Sequence, residues 1–509
     1  MGDSASSEVR DVGLQPASVD RIIISGLNRT DEGLIKKQLV DLAKSTNLNE
    51  LFQNVVHTKE KLNKLGVFRS VFAVVDVADA NVNSSKYKVT FKVQEKKPLT
   101  ARLSATTATD GTNQMCGTIR LNNILHRAEF ADLDLEFGSN HLTAKCATLS
   151  KPLENNPYIR FSVGGTEGHW DHWWAKFLRS ERSVFSEIQA ETDFGIHKFQ
   201  WEAAWREIAA KDNSTPWVVR KESGPAVKVG LRHTFERDSR SDRVFPETGS
   251  LFRFTEELAT ITPGSPSGYY PNQGDRSPGN IANIADDKSF QLKLEGVVNK
   301  PFRIFDWLVG ELSFSSGMTH SLTRHPITII DRYFLGGPLE LRGFQWRSVS
   351  PVEPLVQPGY VSLPVVDPTG GDSAEPAPAV ATSPIGAEAY WLTGAHLYTP
   401  LPYFGAEEGT FASHFRIHGF SVTGSTLDSP VQKINNCFYS PGASPGLSAV
   451  GKRLAAELVG QPRTVVGIGL VIRFAGLVRM EINYCIPVLS QPGDSLKTGF
   501  SFGFGFYYM

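Results

Sequence analysis

Few residues in this chain are placed to do covalent chemistry. Gly499-Phe-Ser-Phe-Gly503 has the Gly-x-Ser-x-Gly spacing of a serine nucleophile on a sharp turn. Such a serine needs a strand–turn–helix around it and an acid and a His further on. The segment after Gly503 contains no Asp, Glu or His. His169 and His172, three apart, suit one face of a helix, but no third metal ligand accompanies them. A solvated or interfacial face is the simpler reading. Cys116, Cys146, Cys437 and Cys485 are scattered with no Cys-x-x-Cys, which points to neither zinc nor a disulfide framework. A Walker-type Lys-Ser/Thr loop is absent. The chain reads as a protein that is not an enzyme and takes no cofactor or metal.

One stretch does carry recognition chemistry, residues 331–344, Asp-Arg-Tyr-Phe-Leu-Gly-Gly-Pro-Leu-Glu-Leu-Arg-Gly-Phe. It follows a strand-like run with Ile327, Ile329 and Ile330. Gly336, Gly337 and Pro338 force a turn. Arg342 then stands beside Gly343 and Phe344. A five-donor fork next to a residue without a side chain can lie against a packed wall and hold a carboxylate. Glu388 and Glu481 are the candidate partners. Alone, Arg-Gly-Phe reads as a surface turn; the elements around it change that.

Charge is balanced, 52 Lys+Arg against 53 Asp+Glu, which argues against a nucleic-acid binder. No apolar run is long enough for a membrane-spanning helix, a test that strands of a β-barrel would escape. Gly (45) and Phe (31) are both frequent, as suits many strands with tight turns and aromatic outer faces. Residues 1–17 read as a disordered tail, with Gly2 and Ser6 matching a myristoylation pattern and no presequence signal.

Residues 18–98 predict a βααββ unit. Its strands are 21–27, 67–77 and 87–93. Its helices run from an N-cap at Thr30 to about Lys44 and from about Leu48 to Leu65, ended by Gly66. The unit carries 14 Lys+Arg against 9 Asp+Glu. An edge strand in it, the second or third, is expected to receive an extended chain. From 101 to 509, strand-like runs recur: 131–137, 160–163, 227–234, 250–257, 290–297, 308–314, 416–422, 465–474 and 477–486. In the last, Arg479, Glu481, Asn483 and Cys485 share one face and Met480, Ile482 and Tyr484 the other, as in a lipid-facing wall around a wet lumen. At the C-terminus Phe500, Phe502, Phe504, Phe506 and Tyr508 share a face. Such a row aggregates in water and suits lipid. The other face has Gly499, Gly503 and Gly505, so the barrel should close on a weak seam. Residues 351–384, with eight prolines, read as a loop insert. Trp170, Trp173, Trp174 and Phe177 have the spacing of an aromatic-faced helix.

These motifs coincide in one family. Residues 18–98, with Leu65-Gly-Val-Phe68 entering the second strand, resemble a POTRA domain. Phe334-Leu-Gly-Gly-Pro-Leu-Glu-Leu-Arg-Gly-Phe344 resembles the inward loop of the BamA-like outer-membrane-protein assembly superfamily. Arg220-Lys-Glu-Ser-Gly224, Asp242-Arg243 with Pro246 and Gly249, Glu388-Ala-Tyr-Trp391, His396-Leu-Tyr-Thr-Pro-Leu-Pro402 and Asn483-Tyr-Cys-Ile-Pro487 resemble its mitochondrial branch. The resemblance implies a mostly β protein, with a sixteen-stranded transmembrane antiparallel β-barrel (101–509) behind a single α/β POTRA domain. It implies insertion of β-barrel precursors, porin and the import-pore barrel, into the mitochondrial outer membrane, with the POTRA domain in the intermembrane space. The implied partners are those precursors, membrane lipid, metaxin-like subunits on the cytosolic face and the cristae-organising (MICOS) complex, and no nucleic acid.

The expected gate lies between the first and last strands. About Met115–Asn122 is taken as the first, with Cys116, Gly117 and Ile119 on it, and Gly499, Gly503 and Gly505 on the last. Lys497, Gly499, Phe502 and Phe504 fit the family's β-signal, so the closing strand resembles the strand that substrates present. Substrate would replace it by β-augmentation. The competing expectation is a polypeptide- or solute-conducting channel of the same superfamily.

Overall fold

The computed structural model describes residues 15–78, 85–107, 113–138, 142–264, 288–323, 325–355, 381–402, 410–438, 452–453, 456–474 and 478–505. Strands β1 (Ser18–Ser25), β2 (Phe68–Val77) and β3 (Lys86–Glu95) form one sheet in the order β1-β3-β2. β3 is central, parallel to β1 and antiparallel to β2. Of the two strands expected to offer an edge, only the second does. Helices Glu32–Gln38, Val40–Ala43 and Leu48–Lys64 bury Leu34, Ile35, Leu42, Leu51 and Leu62 against Val71, Val89 and Phe91. The first predicted helix is therefore two short ones, and Asp31, not Thr30, is its N-cap. Thr30 is engaged elsewhere: its hydroxyl donates to Glu95 Oε1 at 2.6 Å.

The remaining long strands make one sixteen-stranded sheet. Its first half is β4 (Leu99–Thr107), β5 (Asn113–Asn122), β6 (Phe130–Phe137), β7 (Leu142–Pro152), β8 (Ile159–His172), β9 (Phe177–Thr192), β10 (Gly195–Ala210) and β11 (Gly224–Asp238). β12 (Leu251–Pro263), β13 (Ser289–Phe305) and β14 (Leu308–Ser321) continue it. A short ladder of β15 (Val352–Pro354) and β16 (Thr382–Pro384) stands apart, at the two ends of the Pro-rich insert, where the sequence suggested loop throughout. β17 (Ala389–Pro400), β18 (Phe415–Leu427), β19 (Arg463–Phe474), β20 (Val478–Leu489) and β21 (Gly499–Gly505) complete the sheet. Each strand pairs antiparallel with the next, and the end strands β4 and β21 approach within 8 Å, closing the wall.

Two sequence expectations are corrected. The first barrel strand is Leu99–Thr107; Cys116, Gly117 and Ile119 lie on the second strand, paired on both sides, and not at the closing border. Its apolar residues Leu99, Ala101 and Leu103 alternate with polar Thr100, Arg102 and Ser104, but the small side chains make the period faint. Trp170 to Phe177 is no helix: β8 ends at His172, a turn with Lys176 at φ 59° follows, and β9 begins at Phe177. Helical spacing arises there by coincidence. His172 stacks on Phe177 at 4.3 Å, across the hairpin.

Alternation sorts side chains between lumen and exterior. Phe161, Val163, Phe199, Trp201, Leu231, Phe252, Leu258, Phe314, Tyr484, Phe500 and Phe502 are exposed on the outside, an apolar band suited to lipid. Inside, Arg206, Lys228, Glu257, Glu311, Arg479 and Glu481 are buried. No described helix is long and apolar enough to cross a membrane.

The N-terminal unit sits on the barrel's adjoining end. Ala128, from the β5–β6 connection, and Phe130, which opens β6, enter its hydrophobic core. Asn123 Nδ2 donates to Thr30 Oγ1 at 3.0 Å, and Asp31 N–H to His126 O at 2.8 Å. Lys37 Nζ reaches Glu154 Oε2, in the β7–β8 turn, at 2.6 Å. Hydrogen bonds from Lys37, then Lys151, hold the Glu154 carboxyl down to about 2. A depressed carboxyl stabilises the contact above its ordinary value of 4.5 and loses it as pH falls toward about 2. A fluorophore pair across the contact should separate in that window. Glu154→Gln should abolish the step.

Candidate functional site

Residues 322–388 connect β14 to β17 at the end away from the N-terminal unit. Residues 325–355 of this segment turn back into the lumen and are anchored on two walls. Its first part is not a strand: Ile329–Asp331 is a 3-10 turn, with Ile327 and Ile329 fully buried. Asp331 Oδ1 accepts Arg206 Nη1 of β10 at 3.0 Å and Lys228 Nζ of β11 at 3.2 Å. Thr328 Oγ1 donates to its Oδ2 at 2.7 Å. Lys228 also pairs with Glu257, and Arg206 with Glu181 at 3.1 Å, so the wall is a network of β9 to β12. Glu222, from the Arg220–Gly224 motif, accepts Ile329 N–H at 2.6 Å and Arg332 Nη2 at 3.2 Å. Burial raises its carboxyl above the ordinary range, against the nearby Arg332.

The other anchor is Arg342. It is completely buried, as is Glu481 of β20. Arg342 Nε and Nη2 both donate to Glu481 Oε2, at 3.1 and 2.9 Å. Asn483 Nδ2 donates to the same oxygen at 2.7 Å, and Arg479 Nε to Oε1 at 2.7 Å. The Arg342 guanidinium lies 4.9 Å over the Phe420 ring. Of the two carboxylates the sequence offered, the structure brings Glu481 to Arg342. Glu388 stands just before β17, its backbone carbonyl accepting Thr319 N–H at 2.7 Å.

The glycines explain how the loop fits. Gly336 and Gly337 adopt φ 113° and 114°; a Cβ on them would meet Gln345 O at 2.4 Å and Trp346 at 2.5 Å. Gly343, at φ 79°, faces Val465 Cγ2 at 3.0 Å and Pro487 Cγ at 3.2 Å from an added Cβ. Gly343→Val therefore combines a left-handed backbone with overpacking, at a cost of about 2–4 kcal/mol. The expected result is faster protease cleavage of the loop in an intact barrel.

Phe344 is buried with Leu335, Leu341, Val349, Val465 and Cys485. Its backbone bridges Leu496. Gly343 O accepts Lys497 N–H at 2.8 Å, and Gln345 N–H donates to Ser495 O at 2.9 Å. The loop thus pairs with the residues that lead into β21. In β21 itself, Phe500 and Phe502 face outward, Ser501 inward beside Asn483, and Gly499 and Gly503 alternate with them. The Gly-x-Ser-x-Gly match lies along this strand, without the turn a nucleophile requires. Among the described residues, no ladder hydrogen bonds join β21 to β4.

Sequence reading missed Arg206 and Lys228, and named Arg479 only as part of a strand face and Tyr398 only within a motif. Their signal was present, a charge or hydroxyl recurring on one face of an alternating strand, but its partners come from elsewhere in the chain.

A sixteen-stranded barrel with an inward loop pinned by a buried Arg to its wall defines a class. The Omp85 superfamily domain matches residues 182–508, and this chain belongs to that superfamily. A solved structure of BamA from Haemophilus ducreyi lacking POTRA domains 1–3 superposes with TM-score 0.65 at 13% identity, covering 96% of this chain and 84% of that one. Within the superfamily the likeness is to sorting and assembly machinery component 50 homologues. The Bos taurus homologue is 30% identical over 96% of this chain and 90% of its own length. The Homo sapiens homologue is 29% identical with the same coverage. A SAM50-like protein of Drosophila melanogaster is 28% identical over 100% of this chain and 98% of its own. The N-terminal unit is a POTRA-type fold and the barrel an outer-membrane one.

Proposed function

We propose that this protein is an insertase for β-barrel precursors, porin and the import-pore barrel among them, in the mitochondrial outer membrane. The observation that carries the reading is the border of β4 and β21, adjacent strands without ladder bonds among the described residues. A precursor strand cannot enter lipid with free amides, each costing several kcal/mol. An edge must receive it. β4 is that edge, and β21 is the strand replaced. Glycine recurs along β21 at Gly499, Gly503 and Gly505, which limits the cost of exchange. Lys497, Gly499, Phe502 and Phe504 give it the pattern of the substrate's own signal. The names of the relatives, sorting and assembly machinery components, support the same role.

The POTRA unit faces the intermembrane space in this reading, and its open edge β2 meets incoming chain. Metaxin-like subunits bind the cytosolic end and the cristae-organising complex the opposite one. Arg342 and Glu481 hold the loop that pairs with the lead into β21, so they set where that strand begins. A wide channel is the poorer reading, because the loop spans the lumen from β10 to β20. Vesicles containing the purified protein should convert urea-unfolded porin to its protease-resistant, heat-modifiable form faster than protein-free vesicles. Equal rates would contradict the proposal.

A further inference from the structure

Glu481 is held from both ends of the barrel. Arg342 reaches Oε2 from the loop end. The opposite contact begins in the turn between β11 and β12, on the POTRA side. There Asp242 Oδ1 accepts the N–H groups of Val244 (2.6 Å) and Phe245 (3.0 Å), curling the turn inward. Val244 and Phe245 are buried against Tyr398 and Val471. The Phe245 ring lies beneath two guanidiniums, Arg416 of β18 at 4.9 Å and Arg473 of β19 at 4.6 Å. Asp242 Oδ2 pairs with Arg473 at 3.0 Å. Tyr398 of β17 then accepts Arg479 Nη2 at 2.6 Å, with the guanidinium 5.1 Å over its ring. Arg479 completes the chain on Glu481 Oε1.

Both residues at the junction, Arg479 and Glu481, belong to β20, the neighbour of β21. Buried charge-assisted hydrogen bonds are stronger than ladder bonds and fix geometry. They tie β20 to β17, and through the turn to β18 and β19. β21 presents Gly499, Ser501 and Gly503 to the lumen, none of them charged.

We propose that this two-ended brace confines opening to β21: β20 stays on β19 while β21 leaves β4. Arg479, Tyr398, Phe245 and Asp242 are positioning residues in it. The purpose of the brace rests on the insertase reading; the firmness of the β19/β20 border does not.

The border can be read with cysteines at Ile468→Cys and Tyr484→Cys, register partners on the outer face of β19 and β20, with the native cysteines replaced by alanine. Disulfide yield is measured with and without arrested porin, on barrels shown folded by heat-modifiable migration. With the brace intact the unlinked fraction should be on the order of a few per cent, and the same in both conditions. In Tyr398→Phe, which loses one oxygen and keeps the ring, the unlinked fraction should rise about tenfold, as for one lost hydrogen bond to a charged group. Phe245→Ala should do the same, and Phe245→Tyr should behave as the parent. Parent-like yield in Tyr398→Phe and Phe245→Ala, or equal loss in Phe245→Tyr, would overturn the brace. Crosslinking of porin to Leu103→Cys on β4 is scored separately; its failure would sink the insertase reading and leave the precursor-free brace result standing.

Discussion

Replacing Glu481 with Ala should release the inward loop and stop porin insertion while the barrel remains in the membrane. The change leaves two buried guanidiniums, Arg342 and Arg479, without their common anion. Removing one partner of a buried pair costs ~3–5 kcal/mol, and here one deletion removes an anion that two cations share. Arg342→Ala should be milder for the barrel, because Glu481 keeps Arg479, yet equally damaging to insertion, because the loop loses its anchor. Arg342→Lys keeps the charge but not the planar fork, and should recover only part of the activity. Hydrogen exchange at the Gln345 and Lys497 amides reads the loop directly, since both bonds join it to the lead of β21. Both should exchange faster in each single variant. The double variant should add little, because the two residues act as one unit. Normal porin insertion by Arg342→Ala would remove the loop from the mechanism.

The second large effect is expected at the other wall. Asp331→Ala withdraws the carboxylate shared by Arg206 and Lys228. Each cation retains a second acid, Glu181 and Glu257 respectively, so the loss should be ~3 kcal/mol, the lower end of the buried-pair range. The first part of the loop should detach while Arg342 holds the second. The amides of Tyr333 and Leu335, bonded to Ala387 O and Val349 O, should then exchange faster, and that of Lys497 should not. Asp331→Asn, which keeps the shape and one acceptor, should fall between. A uniform rise at all three amides would mean that the loop moves as one body.

Local pattern made the walls legible. β20 alternates charge and apolar residue so plainly that its inner and outer faces follow from the sequence, and β21 shows its aromatic face the same way. β9 and β10 were not legible, because strands between wet lumen and interface carry charges on both faces. β4 does alternate, Leu99, Ala101 and Leu103 against Thr100, Arg102 and Ser104, a signal that was present in the sequence and passed over. Helical spacing of Trp170, Trp173, Trp174 and Phe177 misled, since a hairpin turn between two strands falls by coincidence on the same spacing. Arg342 stood out through its glycines, but its choice of Glu481 over Glu388 depends on strand register, which no local window contains. Asp331 was visible as the start of the loop motif; Arg206 and Lys228, over a hundred positions earlier, were not.

The account depends on β4 receiving a substrate strand, and a crosslink tests that directly. Cysteines placed singly at Ala101 and Leu103 of β4, and at Ile119 and Leu121 of β5 as controls, are challenged with arrested porin carrying a cysteine in its last strand. The account predicts crosslinks to β4 in register with the signal, and none to β5. Porin that matures without touching β4, or while β21 is disulfide-locked to it, would contradict the account.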